Sequence, residues 1–160
     1  MTEHKTLPQS AIVPASDYVI IGGTGDLALR KIFPALFLRY AAGQVTDDFR
    51  LYVVGRQTID PAEFRSKLAP HCLLEGNELD DGDALMDRFM RLINFACVDI
   101  NADGGMQELA GDLLSRATAG RPIIFYLSIA SSLFSAASKR IAEAGLALPQ
   151  SRLVVEKPLG

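Results

Sequence analysis

The chain has 160 residues, 16 Lys and Arg against 19 Asp and Glu, a formal net charge of −3 and 49% hydrophobic residues. That length suits one domain with a single substantial core, and 22% charged residues beside that apolar content excludes wholesale disorder. The lack of a general basic field argues against nucleic acid held by phosphate neutralisation, and no apolar run approaches the ~20 residues that span a bilayer.

Residues 1–16 carry Pro8 and Pro14 without a secretory apolar core and are expected to form a flexible lead-in. Five short apolar runs follow, at 17–22, 50–55, 94–100, 122–128 and 152–156, rich in Val, Ile, Tyr and Phe with little alternation. Such runs predict strands covered on both faces. Between the first two, residues 26–42 place Leu29, Phe33, Leu36 and Tyr40 at helical spacing, with Gly43 as a stop and Pro34 predicting a kink. Further helical stretches are expected at 61–68, 83–92, 106–117 and 132–144, with a Gly/Asp-rich loop at 75–82. This alternation predicts right-handed crossovers and an α/β fold, a doubly wound, mostly parallel Rossmann-like sheet in the order 3-2-1-4-5. Cys72 and Cys97 are 25 apart, outside any CxxC spacing, and are expected to be free thiols of a cytoplasmic protein. His4 and His71 stand alone, so no metal site is expected.

The block Gly22-Gly23-Thr24-Gly25-Asp26-Leu27-Ala28 lies between the first strand and the first helix. Gly22, Gly25 and Ala28 make a GxxGxxA variant of the dinucleotide fingerprint. A side chain at Gly22 would obstruct the chain reversal, one at Gly25 would hold the backbone away from a pyrophosphate, and Ala28 lets the helix pack closely on the sheet. The helix amides and dipole then face the anion. The alternative is a tight turn without a ligand. Thr24 can add a hydroxyl to a phosphate, and Asp26 is expected to cap the first-turn amides. At the end of the second strand stands Gly55-Arg56-Gln57 rather than the acid an NAD ribose prefers; Asp47 and Asp48 precede that strand, at its opposite end. A guanidinium there suits a 2′-phosphate, which favours NADP; the alternative is a solvated loop arginine. Lys31, six residues beyond Gly25, has its Cα ~9 Å along the helix. Lys157 ends the fifth strand at the ligand-binding edge, and Pro158 after it could take a cis bond.

At these residues the chain resembles the amino-terminal coenzyme domain of the glucose-6-phosphate dehydrogenase family. The likeness is carried by Gly22–Ala28 followed by Arg30-Lys31, by Gly55-Arg56-Gln57, by Phe125-Tyr126-Leu127-Ser128, and by Val154-Val155-Glu156-Lys157-Pro158-Leu159-Gly160. The chain departs from the family pattern in joining Gly55 directly to Arg56 and in carrying Ala130-Ser131-Ser132 where a proline-containing turn is common. The resemblance implies oxidation of glucose 6-phosphate to the lactone with hydride transfer to NADP, opening the pentose phosphate pathway. It also implies that Gly22, Gly23, Thr24, Gly25, Asp26 and Leu27 form the cofactor turn and that Arg56 binds the 2′-phosphate. Lys31 and Lys157 would reach the substrate, Lys157 beside both the cofactor and the reacting hydroxyl, with Pro158 a cis proline joining the two ligand sites. Residues 17–160 would then be the nucleotide-binding domain of a longer, homo-oligomeric enzyme whose histidine base and dimerisation domain lie further along. This segment alone would be inactive, and its last strand an exposed edge prone to self-association. Two rivals are a free-standing NADP-binding or regulatory module and a short-chain reductase or epimerase. The latter needs Tyr-x-x-x-Lys, but Tyr18, Tyr40, Tyr52 and Tyr126 are followed four residues on by Gly22, Gln44, Arg56 and Ala130.

Overall fold

The computed structural model describes residues 14–74, 81–102, 105–116 and 120–156. Strands β1 (Asp17–Ile21), β2 (Arg50–Gly55), β3 (Ile93–Cys97), β4 (Ile123–Leu127) and β5 (Ser151–Val155) form one sheet. All neighbours are parallel and the order is β3-β2-β1-β4-β5, the doubly wound arrangement expected. A π-helical turn (Ala28–Ile32) runs into α1 (Phe33–Ala41), followed by α2 (Pro61–Cys72), α3 (Gly82–Met90), α4 (Met106–Ser115), a 3-10 turn (Ser131–Leu133) and α5 (Phe134–Glu143). Among the described residues no helix is long and apolar enough to cross a membrane.

The period-2 geometry of the strands assigns each side chain to a face. Ile20, Leu51 and Val53 meet Phe33, Phe37, Phe64 and Phe89 beneath α1, α2 and α3. Edge-on ring contacts between Phe33 and Phe64 and between Phe37 and Phe89, at 5.3 and 5.4 Å, fix the packing there. Val19, Ile21, Val54, Phe125 and Leu127 face the other way, against Leu109 and Leu113 of α4 and Ala137 and Ile141 of α5. Both faces of β1 and β2 are therefore buried, which is why their sequences read as continuous apolar runs. At the amino-terminal rim, Asp17 is fully buried and accepts from Arg50 Nε (2.7 Å) and Nη2 (2.6 Å) and from Arg121 Nε (2.9 Å). One carboxylate thus ties β1 to β2 and to Arg121, two residues ahead of β4.

Several boundaries depart from expectation, each for a local reason. The helix expected to be broken at Pro34 is divided just before it, into a π turn and then α1. Phe33 N–H donates to Ala28 O, five residues back, so the missing proline donor is absorbed in a π turn. β3 stops at Cys97 instead of Ile100, because Asp99 Oδ1 takes the Asn101 amide (2.9 Å) and turns the chain. Val98 and Ile100 are nonetheless buried, so the apolar run outlasts the strand. α2 continues past Leu68 to Cys72 with Pro70 inside it. Ser66, whose carbonyl the absent proline N–H would have met, lies on the exposed side of the helix. The lead-in also ends before residue 16: Ser16 is buried, and its carbonyl accepts the Arg50 amide (3.2 Å). Residues 1–13 lie outside the described residues, as do 75–80 of the loop placed at 75–82. Cys72 is buried, Cys97 exposed, and both thiols are free. Among the described residues β5 is the last strand of the sheet, with Leu153, Val154 and Val155 exposed.

Candidate nucleotide-binding site

The glycine block turns the chain at the carboxyl ends of the strands and is held from both sides. Gly22 and Gly23 donate to Val54 O at the end of β2 (2.9 and 3.1 Å), while Ser128 N–H donates to Ile21 O (2.8 Å) on the β4 side. Gly22 sits at φ +82°, and a Cβ there would lie 2.2 Å from Ser128 O. A Cβ at Gly23 would press on Val53 Cγ1 at 2.9 Å. These two glycines let three strand ends converge. Gly25 differs, because a Cβ there meets only Gly22 O, at 3.3 Å, and its surface is exposed. The amide of Gly25 closes the turn onto Gly22 O (3.1 Å), so the donors offered outward are those of the helix start beyond it. Ala28 is fully buried and seats the helix on the sheet, as its place in the fingerprint predicts.

A groove of about 320 Å³ runs along this rim and brings together Gly22, Thr24, Gly25, Gly55 and Arg56, with Val98, Ile100, Asn101, Ser128 and Ile129 as its other walls. The phosphate turn and the arginine of the neighbouring βα junction therefore share one groove. A second hollow of about 710 Å³ opens on the far side of Thr24 and Arg56, lined also by Gln57, Thr58, Asp60, Glu63, Lys67 and Asp99. Arg56 stands between the two. Its backbone is held by the β3 exit: Val98 N–H donates to Gly55 O (2.8 Å) and the Cys97 thiol to Arg56 O (3.3 Å).

Each acid of the larger hollow is already engaged. Asp60 caps α2 through the amides of Ala62 (2.9 Å) and Glu63 (3.4 Å), Glu63 pairs with Lys67 (3.0 Å), and Asp99 holds Asn101. The Arg56 guanidinium has no ion-pair partner among the described residues. An arginine without a carboxylate, beside the Thr24 hydroxyl and the Gln57 amide, has the chemistry of a phosphate receptor. The geometry also suits a dinucleotide on two counts. Gly25 is exposed and a Cβ there meets only Gly22 O, so the turn is open to close approach, and Ser128 Oγ in the groove wall is buried without a partner among the described residues.

Other predicted residues sit differently. Asp26 does not cap the helix; its carboxylate is exposed and reaches Arg30 at 3.8 Å, because the first turns of this helix are widened. Leu27 packs its side chain against the core, so only its backbone faces the rim. Lys31 is exposed on the π turn and lines neither hollow. Lys157 and Pro158 lie outside the described residues. Sequence reasoning missed the bond just before them, in which Tyr126 Oη donates to Glu156 Oε1 at 2.6 Å. Burial and that carboxylate push the Tyr126 phenol up to about 12. Strand parity carries the signal: Tyr126 pairs with Val154, which puts Glu156 on the same face two residues on. Gln57 and Ser128 were also missed as site residues; each adjoins a motif residue in sequence, but its exposure to the groove or hollow needs the fold.

Comparison with known proteins extends this picture. Residues 19–160 match the family model described as glucose-6-phosphate dehydrogenase, NAD binding domain. Glucose-6-phosphate 1-dehydrogenase of Mycolicibacterium smegmatis is 36% identical over 155 residues, covering 92% of this chain and 30% of the relative. That of Gluconobacter oxydans is 32% identical over 146 residues, covering 90% and 29%. Among solved structures, a glucose-6-phosphate dehydrogenase in complex with its substrate glucose 6-phosphate superposes with a TM-score of 0.79 at 25% identity, covering 93% of this chain and 31% of the other. A glucose-6-phosphate 1-dehydrogenase from Mycobacterium avium gives 0.73 at 26%, covering 92% and 30%. The chain thus spans about 30% of the length of these relatives. With the strand order, the glycine turn and the family match in agreement, this chain belongs to the glucose-6-phosphate dehydrogenase family and is its NAD-binding domain, which takes a nicotinamide dinucleotide.

Proposed function

We propose that residues 17–160 are the coenzyme domain of an NADP-linked glucose-6-phosphate 1-dehydrogenase, which converts glucose 6-phosphate and NADP to 6-phosphogluconolactone and NADPH. The observation that carries the choice of NADP is Arg56. It follows β2 where an NAD site would hold an acid, it borders both hollows, and the three nearby acids are engaged elsewhere. Gly22 and Gly23 shape the turn, while Thr24, Gly25, Asp26 and Leu27 present hydroxyl and backbone groups to the pyrophosphate. Arg56, aided by Gln57, takes the 2′-phosphate.

Bound nicotinamide supplies the hydride acceptor. This chain's own part is to orient it and to exclude water from the groove, whose floor is Ile21, Val54 and Val98. Lys31 and Lys157 are assigned to the anionic sugar, with Lys157 also beside the cofactor and assisting at the reacting hydroxyl, and Pro158 joins the two sites. The base, the remaining sugar-phosphate ligands and the homo-oligomer interface belong to the region the relatives have beyond this match. The first step of the pentose phosphate pathway in the cytoplasm is the setting, and two free thiols accord with it.

The test is titration calorimetry with NADP and NAD on the wild-type chain and Arg56→Ala. NADP affinity is expected to fall at least tenfold, about 1.4 kcal/mol, with little change for NAD. Equal losses would overturn the 2′-phosphate assignment. Purified 1–160 alone is expected to show no glucose 6-phosphate oxidation, and steady turnover would refute the division of labour.

A further inference from the structure

We propose that the Ser128 hydroxyl is a hydrogen-bond donor to the dinucleotide on the nicotinamide side of its pyrophosphate. The proposal rests on the nucleotide-binding reading of the same groove and adds a contact on the wall opposite Arg56. Ser128 directly follows β4, and its backbone is fixed on both sides of the glycine turn. Its N–H donates to Ile21 O (2.8 Å), and its carbonyl occupies the space a Cβ at Gly22 would need. The side chain is different. Ser128 Oγ is buried and has no hydrogen-bond partner among the described residues, although buried hydroxyls are nearly always satisfied. Ser128 also lines the groove shared by Gly22, Gly25 and Arg56. A hydroxyl that makes no bond where it rests loses none by turning about χ1 to another staggered position. From the groove wall it can reach an anionic oxygen.

The strand order decides which end of the ligand it meets. Arg56 follows β2, Gly22 follows β1 and Ser128 follows β4, and β1 lies between the other two. At roughly 4.8 Å per strand, the ends of β2 and β4 are about 10 Å apart. With the 2′-phosphate at Arg56 and the pyrophosphate over the glycine turn, Ser128 lies beyond the turn, where the second phosphate and the nicotinamide ribose pass.

The experiment compares wild type, Ser128→Ala, Ser128→Cys and Arg56→Ala against NADP and against adenosine 2′,5′-bisphosphate, which carries only the adenosine half. Melting curves without ligand accompany each titration. Ser128→Ala is expected to leave the ligand-free Tm unchanged or slightly raised, since an unsatisfied buried hydroxyl is removed. Its NADP Kd is expected to rise five- to tenfold while the bisphosphate Kd stays within twofold. Ser128→Cys, close in volume but a poor donor, should follow Ala. Arg56→Ala should lose both ligands. The proposal is overturned if Ser128→Ala keeps NADP affinity, if both ligands weaken together, or if the ligand-free Tm drops by several degrees as for a structural hydroxyl. Wild type that binds neither ligand refutes the groove's assignment and this contact together. Normal wild-type binding with an inert Ser128→Ala refutes the contact alone.

Discussion

Gly22 and Gly25 stand three residues apart in one fingerprint, yet the structure gives them opposite duties, and alanine at each should separate stability from binding. At Gly22 an alanine would keep φ near +82°, which costs a non-glycine residue on the order of 1–2 kcal/mol. Its Cβ would also lie 2.2 Å from Ser128 O and 2.9 Å from Ile129 Cγ2. The Ser128 backbone on one side and the stiff β-branched side chain of Ile129 on the other leave little room to yield, so overpacking adds roughly 1–3 kcal/mol. The sum is about 2–5 kcal/mol, or about 4–20 °C in Tm for a domain of this size. At Gly25 the same methyl meets only Gly22 O at 3.3 Å and the residue is not in the left-handed region, so stability should move by less than ~1 kcal/mol. Yet that methyl stands between the helix start and the pyrophosphate, and nucleotide affinity should fall at least tenfold, about 1.4 kcal/mol. Gly43→Ala is the control for backbone strain alone: φ is +76° with nothing within 4 Å, so a loss of about 1 kcal/mol is expected. The assay is a thermal melt followed by circular dichroism, paired with NADP titration. If Gly22→Ala melts like Gly43→Ala, the clash with Ser128 and Ile129 is not real. If Gly25→Ala binds NADP like wild type, the close-approach argument fails.

Other predictions follow from groups outside the groove. Asp17→Asn leaves two guanidiniums facing a neutral amide inside the rim and should cost about 3–5 kcal/mol, read as a Tm lowered by roughly 6–20 °C; a shift under 2 °C would show the rim to be solvated. Burial pushes the Cys72 thiol up to about 12, and the phenols of Tyr18, Tyr40, Tyr52 and Tyr126 are all raised, chiefly by burial. Groups whose folded pKa is raised keep the native state protonated, so their contribution is whole below the unfolded values near 9 and 10 and is lost as pH climbs toward 12. Unfolding free energy should therefore fall above pH 9, by up to about 1.4 kcal/mol per pH unit for each such group, and Cys72→Ala should remove the earliest part of that slope; a flat denaturant midpoint between pH 9 and 10.5 would contradict it. At pH 8 a thiol reagent should label Cys97 readily and Cys72 only after unfolding, and equal labelling of both in the native state would rule out the buried placement.

How much of this was legible in advance depended on how local the cause was. The βα rhythm and the glycine turn rest on contacts between near neighbours, and the strand order, although it sets Asp17 beside Ile123, follows from the general rule for doubly wound parallel sheets; those expectations survive into the structure. Arg56 could be placed at the correct rim because a parallel strand has only two ends. What stayed hidden was long-range or competitive. Nothing in a lone Asp17 indicates that its partners stand 33 and 104 positions away. Hydropathy extended β3 through Ile100 because Val98 and Ile100 are buried as loop residues, and burial does not require a ladder. Asp26 looked like a cap by residue type, but the widened start of a proline-broken helix turned it toward Arg30 instead. The same competition explains Ser128. Its backbone role follows from strand pairing, whereas its hydroxyl belongs to no element of the chain, and a polar atom that the fold buries without satisfying points to something outside the fold. Motif glycines mark where a ligand can approach; the unsatisfied group beside them marks what the ligand must offer.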